Sequence, residues 1–218
     1  MGRSVKRSSS GPRSYDASRR QEQARRTRAR VLDVAKRRFL DDGYVQTTMA
    51  AIATEADVSV ETIYKAFSNK AGILKAMFDV AIAGDDEPVP LQEREMVARI
   101  EAEPDARTKL AIYGDAYAVR ASRAVPVQLL VRDAAAADAG AAEVWRQLND
   151  ERFAGMTAFA THLRDSKALR RGVTRDEARD VLWLHTAPQV FELLVLERGW
   201  TVARFGRWIT QQLVAALV

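Results

Sequence analysis

The chain has 218 residues, 47% of them hydrophobic and 29% charged, enough for one large or two small globular domains with a sizeable core. It holds no cysteine and only two histidines, His162 and His185, which excludes disulfides and thiolate metal sites and leaves no metal or cofactor to expect. The formal net charge is +5, yet the first 38 residues are strongly basic and the remainder is net acidic, so a polyanionic partner is expected at the N-terminal end, either nucleic acid or an anionic membrane surface.

In chain order, residues 1–20 are rich in Ser, Gly and Arg and have little to bury, so they read as a disordered basic arm. No apolar region follows the basic start, as a secretory signal would require, and no apolar run approaches the roughly 20 residues that span a bilayer. The chain reads as cytoplasmic. From about Gln21 the pattern turns helical, with Val31, Leu32, Ala35 and Phe39 on one face, and Asp42-Gly43 ends that helix. Thr47 or Thr48 caps a short helix carrying Ile52, Ala53 and Ala56. Asp57-Val58 makes a tight turn, and Ser59 caps the next helix. Asn69 is placed to cap a fourth, with Ile73, Leu74, Met77 and Phe78. The stretch GDDEPVP, Gly84 to Pro90, breaks the chain, and a hinge is expected there. Longer helical patterns follow over 91–101, 105–121, 126–136, 142–167, 174–198 and 201–217. The fold class is all-α, with 21–68 as one domain, 69–89 as a linking helix and hinge, and 90–218 as a second domain.

The segment VETIYKAF, Val60 to Phe67, has an unusual balance. At about 100° per residue, Ile63 and Phe67 make a narrow buried side, Glu61 and Lys65 point the opposite way, and Thr62 and Tyr64 lie on the flanks. A short helix, a tight turn and a second short helix with an outward polar face make a helix-turn-helix, whose second helix enters the DNA major groove. Thr, Tyr and Lys side chains donate to phosphate oxygens. Glu61 either favours the positive end of its helix dipole or accepts from cytosine N4. Arg19, Arg20, Arg25, Arg26, Arg28 and Arg30 adjoin this head and are candidates to follow the DNA backbone.

The run Arg30 to Leu74 resembles the DNA-binding domain of TetR-family transcriptional regulators. The similarity rests on Ala35, Phe39, Gly43-Tyr44, Thr47-Thr48, Ile52-Ala53, Ala56, Val58-Ser59, Thr62-Ile63-Tyr64, Phe67, Lys70 and Leu74. Departures are Asp57 where the family usually has Gly, Glu61 where small residues are common, and Ala66 where an aromatic residue or His is common. The resemblance implies that Thr48, Tyr64 and Lys70 hold phosphates and that Val60, Glu61, Thr62 and Lys65 face the groove. With Arg28 and Ser59, these make the DNA-binding set. It further implies a dimer on a palindromic operator, a regulatory domain that binds a small lipophilic effector and thereby releases DNA, and a role in transcription, most often repression. A helix running into Arg198-Gly199-Trp200 and then a last amphipathic helix is a second point of similarity.

Two sets of residues are candidates in the second domain. In the 142–167 pattern, Asn149 and Arg152 sit within an apolar stripe through Trp145, Met156 and Leu163, where a polar group needs a partner. With Tyr113 and Tyr117, the residues Trp145, Asn149, Arg152 and Met156 make the ligand-binding candidates; the competing role for Arg152 is an internal ion pair or a stem that snorkels to solvent. Stripes through Leu184, Phe191, Leu194 and Val195, and through Phe205, Ile209 and Leu213, are candidates for the dimer interface. An architectural DNA-binding protein without an effector is the alternative reading. An enzyme is not expected, because no catalytic constellation is visible.

Overall fold

The computed structural model describes residues 12–84 and 95–218, with side chains from Arg19 onward; the first eleven residues of the expected arm, and the GDDEPVP break after Gly84, lie outside the described residues. All regular structure among the described residues is helical. The chain forms two compact units, Met1–Asn69 and Lys70–Val218.

The first unit holds α1 (Pro12–Asp41), α2 (Met49–Glu55) and α3 (Val60–Phe67). α1 begins at Pro12, so residues 12–20 are helical and not an unstructured arm. Proline suits a first helical turn, and the run Arg19 to Arg26 that continues the helix is made of the good helix formers Arg, Gln, Glu and Ala, which need no apolar face. The core is small: Val31, Leu32, Val34, Ala35 and Phe39 from α1, Tyr44, then Ile52, Ala53, Ala56, Ile63 and Phe67 are all buried. Gly43 takes a left-handed φ of 84° just past the end of α1. Thr48 caps α2 by accepting from Ala51 N, whereas the buried Thr47 hydroxyl donates back to the carbonyls of Gly43 and Arg38. Glu55 at the end of α2 pairs with Arg37 at 3.1 Å and Arg38 at 2.6 Å, tying α2 to α1.

The second unit holds α4 (Lys70–Ala83), α5 (Glu95–Ala102), α6 (Ala106–Ala135), α7 (Ala139–Asp165), α8 (Arg175–His185), α9 (Pro188–Phe191) and α10 (Val202–Leu217), with a π-helical stretch Glu192–Glu197 after α9. α6 is the central element and packs against α4, α5, α7, α9 and α10. α4 packs on α6 and α7 and so belongs to this unit, where the sequence suggested a separate linker. Leu110, Leu163, Leu182, Phe191, Phe205, Ile209 and Leu213 form the centre of its core.

Two helix boundaries differ from expectation, both at proline. The patterns 105–121 and 126–136 are one helix, α6, which continues through Pro126. Burial of Ala124 and Val125 before the proline and Val127, Gln128 and Leu129 after it offsets the lost backbone bond, which costs about 3 kcal/mol. The pattern 174–198 is instead interrupted. α8 ends at His185, Thr186 caps it, and Pro188 opens α9 in the first-turn position where its missing N–H costs nothing. Gly199 then takes φ 68°, Trp200 N donates to Leu194 O, and Thr201 caps α10.

Candidate functional site

In the first unit, α3 is held from beneath and open above. Its Ser59 cap accepts from Thr62 N at 3.2 Å and lies 3.0 Å from the Thr62 hydroxyl. Asp57 carries the turn at φ 51°, a left-handed conformation that Asp tolerates better than most residues. Ile63 and Phe67 are buried, Val60 is half-buried, and Glu61, Thr62, Tyr64 and Lys65 are exposed on one continuous face. Tyr64 is 50% exposed, so its ring is not a core element. The Glu61 carboxyl is held below the ordinary glutamate range by its own backbone amide and by the Ser59 hydroxyl. It is thus an ionised acceptor in the first turn of α3, where the helix dipole favours negative charge.

The other DNA-binding candidates take different positions. Thr48 is exposed at the start of α2. Arg28 is half-buried: its guanidinium lies 4.6 Å from the Phe67 ring centroid and donates to Ala66 O at 3.4 Å. It therefore buttresses the C-terminal end of α3. Arg30 donates to Asp57 O and braces the turn in the same way. Lys70, half-buried, is the first residue of α4 in the second unit.

The second unit encloses a cavity of about 270 Å³ between α4, α6, α7 and the α8 end. Phe78, Ile82, Ala121, Ala124, Val125 and Leu148 supply apolar wall; Arg120, Gln128, Glu151, Arg152 and Thr186 are its polar groups. Of the ligand-binding candidates, Tyr113, Tyr117, Arg152 and Met156 line it. Trp145 and Asn149 do not. Asn149 is half-buried and donates to Trp145 O within its own helix. The reason is geometric: the buried line of α7 runs through Ala141, Val144 and Leu148 early and through Met156, Ala160 and Leu163 late, so its inward direction rotates as its packing partners change. A single idealised stripe through Trp145 misses that rotation. Arg120, Gln128 and Thr186 escaped the sequence reading because each lies in a different helical pattern, and only packing brings them together.

Arg152 dominates the chemistry of the cavity. Its guanidinium lies 3.2 Å from the Trp183 ring centroid. One edge donates to Trp183 O at 2.7 Å and to the Thr186 hydroxyl at 3.4 Å. Its Nε is buried with no hydrogen-bond partner. Desolvation pulls its pKa down to about 10, against which Tyr117 and Tyr113 act in the opposite sense. No internal ion pair holds it among the described residues. Tyr113 and Tyr117 stack at 6.2 Å; Tyr117 donates to Thr186 O at 2.8 Å, whereas the Tyr113 hydroxyl lies 3.5 Å from the Met156 sulfur and within reach of the Thr186 side chain.

The dimer-interface candidates divide sharply by exposure. Phe191, Phe205, Ile209 and Leu213 are at most 1% exposed and belong to the unit's own core, so their side chains are closed to a partner. Leu194 and Val195 are half-buried, and Leu184 is 61% exposed. Leu193 and Leu196, which the α-helical stripe passed over, are about half exposed because the chain is π-helical there and its facing pattern shifts.

Comparison with known proteins agrees with this layout. Residues 31–77 match the family described as bacterial regulatory proteins, tetR family. The HTH-type transcriptional regulator TtgR of Pseudomonas putida is 41% identical over 61 residues, which cover 28% of this chain and 29% of that protein. The uncharacterized HTH-type transcriptional regulator YvkB of Bacillus subtilis is 42% identical over 53 residues, 24% of this chain and 28% of that one. The alignments thus span under a third of the curated relatives' length. Across the whole fold, the chain is similar to the transcriptional regulator FadR from Bacillus subtilis in complex with stearoyl-CoA, with TM-score 0.65 and 20% identity over 87% of this chain and 99% of that one. It is also similar to the fatty acid degradation regulator FadR from Bacillus halodurans, with TM-score 0.61 and 17% identity over 85% and 93%. The capped, outward-facing α3 and the family match over residues 31–77 place that segment in the tetR family of bacterial regulatory proteins, and the chain as a whole shares its all-α architecture with the FadR structures.

Proposed function

We propose that the protein is a ligand-responsive repressor that binds a pseudo-palindromic operator as a homodimer and is released by a small, largely apolar effector. The observation that carries this reading is the exposed face of α3, where Glu61, Thr62, Tyr64 and Lys65 stand together over only two buried anchors. Such a face has no use inside the protein, and its hydroxyl, phenol and ammonium donors suit phosphates and base edges. In this reading Thr48 and Lys70 each hold a phosphate, and the basic residues of α1 add non-specific attraction.

One short helix reads few base pairs, so two copies are required for specificity. The exposed Leu184, Leu193 and Leu196 are the proposed partner-facing residues. Effector binding in the cavity biases α4, because Phe78 and Ile82 belong both to that helix and to the cavity wall, and α4 follows the reading head directly in the chain. A ligand that favours one setting of α4 lowers operator affinity by the difference in its affinity for the two settings. The FadR of Bacillus subtilis, solved with stearoyl-CoA, supports effector binding in this architecture.

The test is selection of sheared genomic DNA by the purified protein, followed by sequencing. The expected product is an inverted repeat with half-sites about one helical turn, roughly 34 Å, apart or slightly more. Recovery of fragments with no common site would support instead an architectural DNA-binding protein.

A further inference from the structure

We propose that the cavity of the second unit takes a compact organic carboxylate, with Arg152 receiving its charge and Tyr113 donating a hydrogen bond to it. This rests on the reading of that cavity as the effector site and adds the chemical class of the ligand.

Among the described residues, Arg152 is a cation with no carboxylate paired to it. Its Nη1 is committed to Trp183 O and the Thr186 hydroxyl, its plane is set by Trp183, and its Nε has no partner. Tyr117 and Tyr113, the groups that oppose the lowering of its pKa, are themselves kept protonated by burial and carry no charge to balance it at neutral pH. Arg152 is half-buried and its Nε is closed to solvent, so an anion entering the cavity that the side chain lines recovers the cost through charge and not through a bond to Nε. Glu151, the acidic residue of the cavity wall, is already engaged, with Gln147 Nε2 at 2.8 Å and Lys75 Nζ at 3.4 Å from the same oxygen. Arg120 adds a second positive group to the wall.

Tyr113 supplies the second element of recognition. Its hydroxyl is buried between two modest partners, the Met156 thioether sulfur at 3.5 Å, a weak acceptor, and the Thr186 hydroxyl, which itself donates to Leu182 O. Burial raises its pKa, so it remains a protonated donor at neutral pH. A carboxylate oxygen is a far better acceptor than sulfur. The rest of the ligand meets Phe78, Ile82 and Leu148, which ask for an apolar body. A cavity of about 270 Å³ sets its size at roughly ten to fifteen non-hydrogen atoms, by comparison with the volume of a water molecule.

Isothermal titration of the full chain, free of DNA, with phenylacetate and with phenylacetamide tests this. The two are of equal size and differ in charge. Phenylacetate is expected to bind at least ten-fold tighter, and octanoate is expected to bind in preference to octanamide. Arg152→Met is expected to reduce acid binding to the level of the amide, with an unchanged far-UV spectrum showing that it folds. Tyr113→Phe, a smaller change, is expected to weaken acid binding several-fold and to leave amide binding unaltered, and it decides the matter should Arg152→Met not fold. Equal binding of acid and amide, or saturable binding of neither acid, overturns the proposal. Because no DNA is present, either result leaves the operator reading intact, and loss of operator binding leaves this one intact.

Discussion

Glu61 and Tyr64 stand on the same short helix and carry different expectations. Glu61 is ionised and engaged with its own amide and the Ser59 hydroxyl, so it already serves the start of α3. Tyr64 has half its surface exposed and a hydroxyl able to donate to phosphate. Tyr64→Phe is therefore expected to weaken binding about five-fold, near 1 kcal/mol, and equally on all sequences. Glu61→Ala is expected to change the preference at one base pair, if the carboxylate reads cytosine, or to lower thermal stability slightly with no change of preference, if it serves the helix dipole. A fluorescence-anisotropy series over operator variants separates the outcomes, and identical profiles for the two variants would contradict the division of roles.

His162 is the pH-sensitive residue of the second unit. Lys109, 2% exposed, donates to Ile100 O at 2.7 Å and approaches His162 Nε2 at 3.0 Å. An ammonium only donates, so Nε2 accepts and the ring is neutral with its proton on Nδ1. Desolvation, then the charge of Lys109, lowers the His162 pKa below 6.5, and Glu101 and Asp165 oppose this to a lesser degree. The unfolded state takes up the proton first. Stability is accordingly complete above about pH 6.5 and lost as pH falls below it. His162→Gln keeps an acceptor for Lys109 but does not titrate. Urea unfolding between pH 7.5 and 5 should show a decline in the parent protein that is reduced in this variant; parallel pH curves would contradict the assignment.

At the scale of elements, the closest approach is between α6 and α10. A Cβ at Gly114 would collide with the Thr210 hydroxyl and lie 3.3 Å from Gly206 O; a Cβ at Gly206 would meet the Ala118 Cβ at 3.1 Å. Gly114→Ala is expected to cost about 1–3 kcal/mol by overpacking. Adding Thr210→Ala should restore part of that loss, since the nearest obstacle is the threonine side chain. Chemical denaturation of the single and double variants measures this, and an Ala at 114 that leaves stability unchanged would show that the helices separate easily. A second fastening runs from α6 to the π-helical stretch, where Arg132 forms two bonds with Glu192, at 2.7 and 3.1 Å. Each partner stabilises the other's charge, raising the Arg132 pKa and lowering that of Glu192.

What the sequence discloses about these elements follows from what local chemistry can signal. The helix-turn-helix was legible because its signals are local: Thr48 and Ser59 cap, Gly43 stops, and Ile63 and Phe67 anchor within four residues of each other. The second unit was less so. Pro126 within α6 and Pro188 after α8 send the same local signal, and only the packing around each decides whether the helix continues. An apolar stripe likewise does not distinguish core from partner. Phe205, Ile209 and Leu213 have the pattern of an interface and are buried in the chain's own core. The cavity was half legible, because Arg152 and Met156 share a helix while Arg120 and Thr186 reach it from others.

At the scale of the whole molecule, the proposed function needs a basic reading head, a cavity-bearing unit and two copies of each. The exposed leucines offer a direct check on the second copy. Leu193→Glu combined with Leu196→Glu places charges on an exposed surface, so the fold is expected to remain while the dimer is lost. Sedimentation velocity should show a monomer, and operator affinity should drop at least ten-fold. A dimer that survives both substitutions would move the interface elsewhere on the unit. The central claim, sequence-specific DNA recognition by the face of α3, is tested most directly by the affinity ratio between the selected inverted repeat and a scrambled duplex of the same length, measured at one fixed salt concentration. The account predicts a ratio of about a thousand or more for the parent protein, falling towards one when Thr62, Tyr64 and Lys65 are all replaced by Ala. A ratio near one for the parent, or a ratio unchanged by the triple replacement, would contradict it.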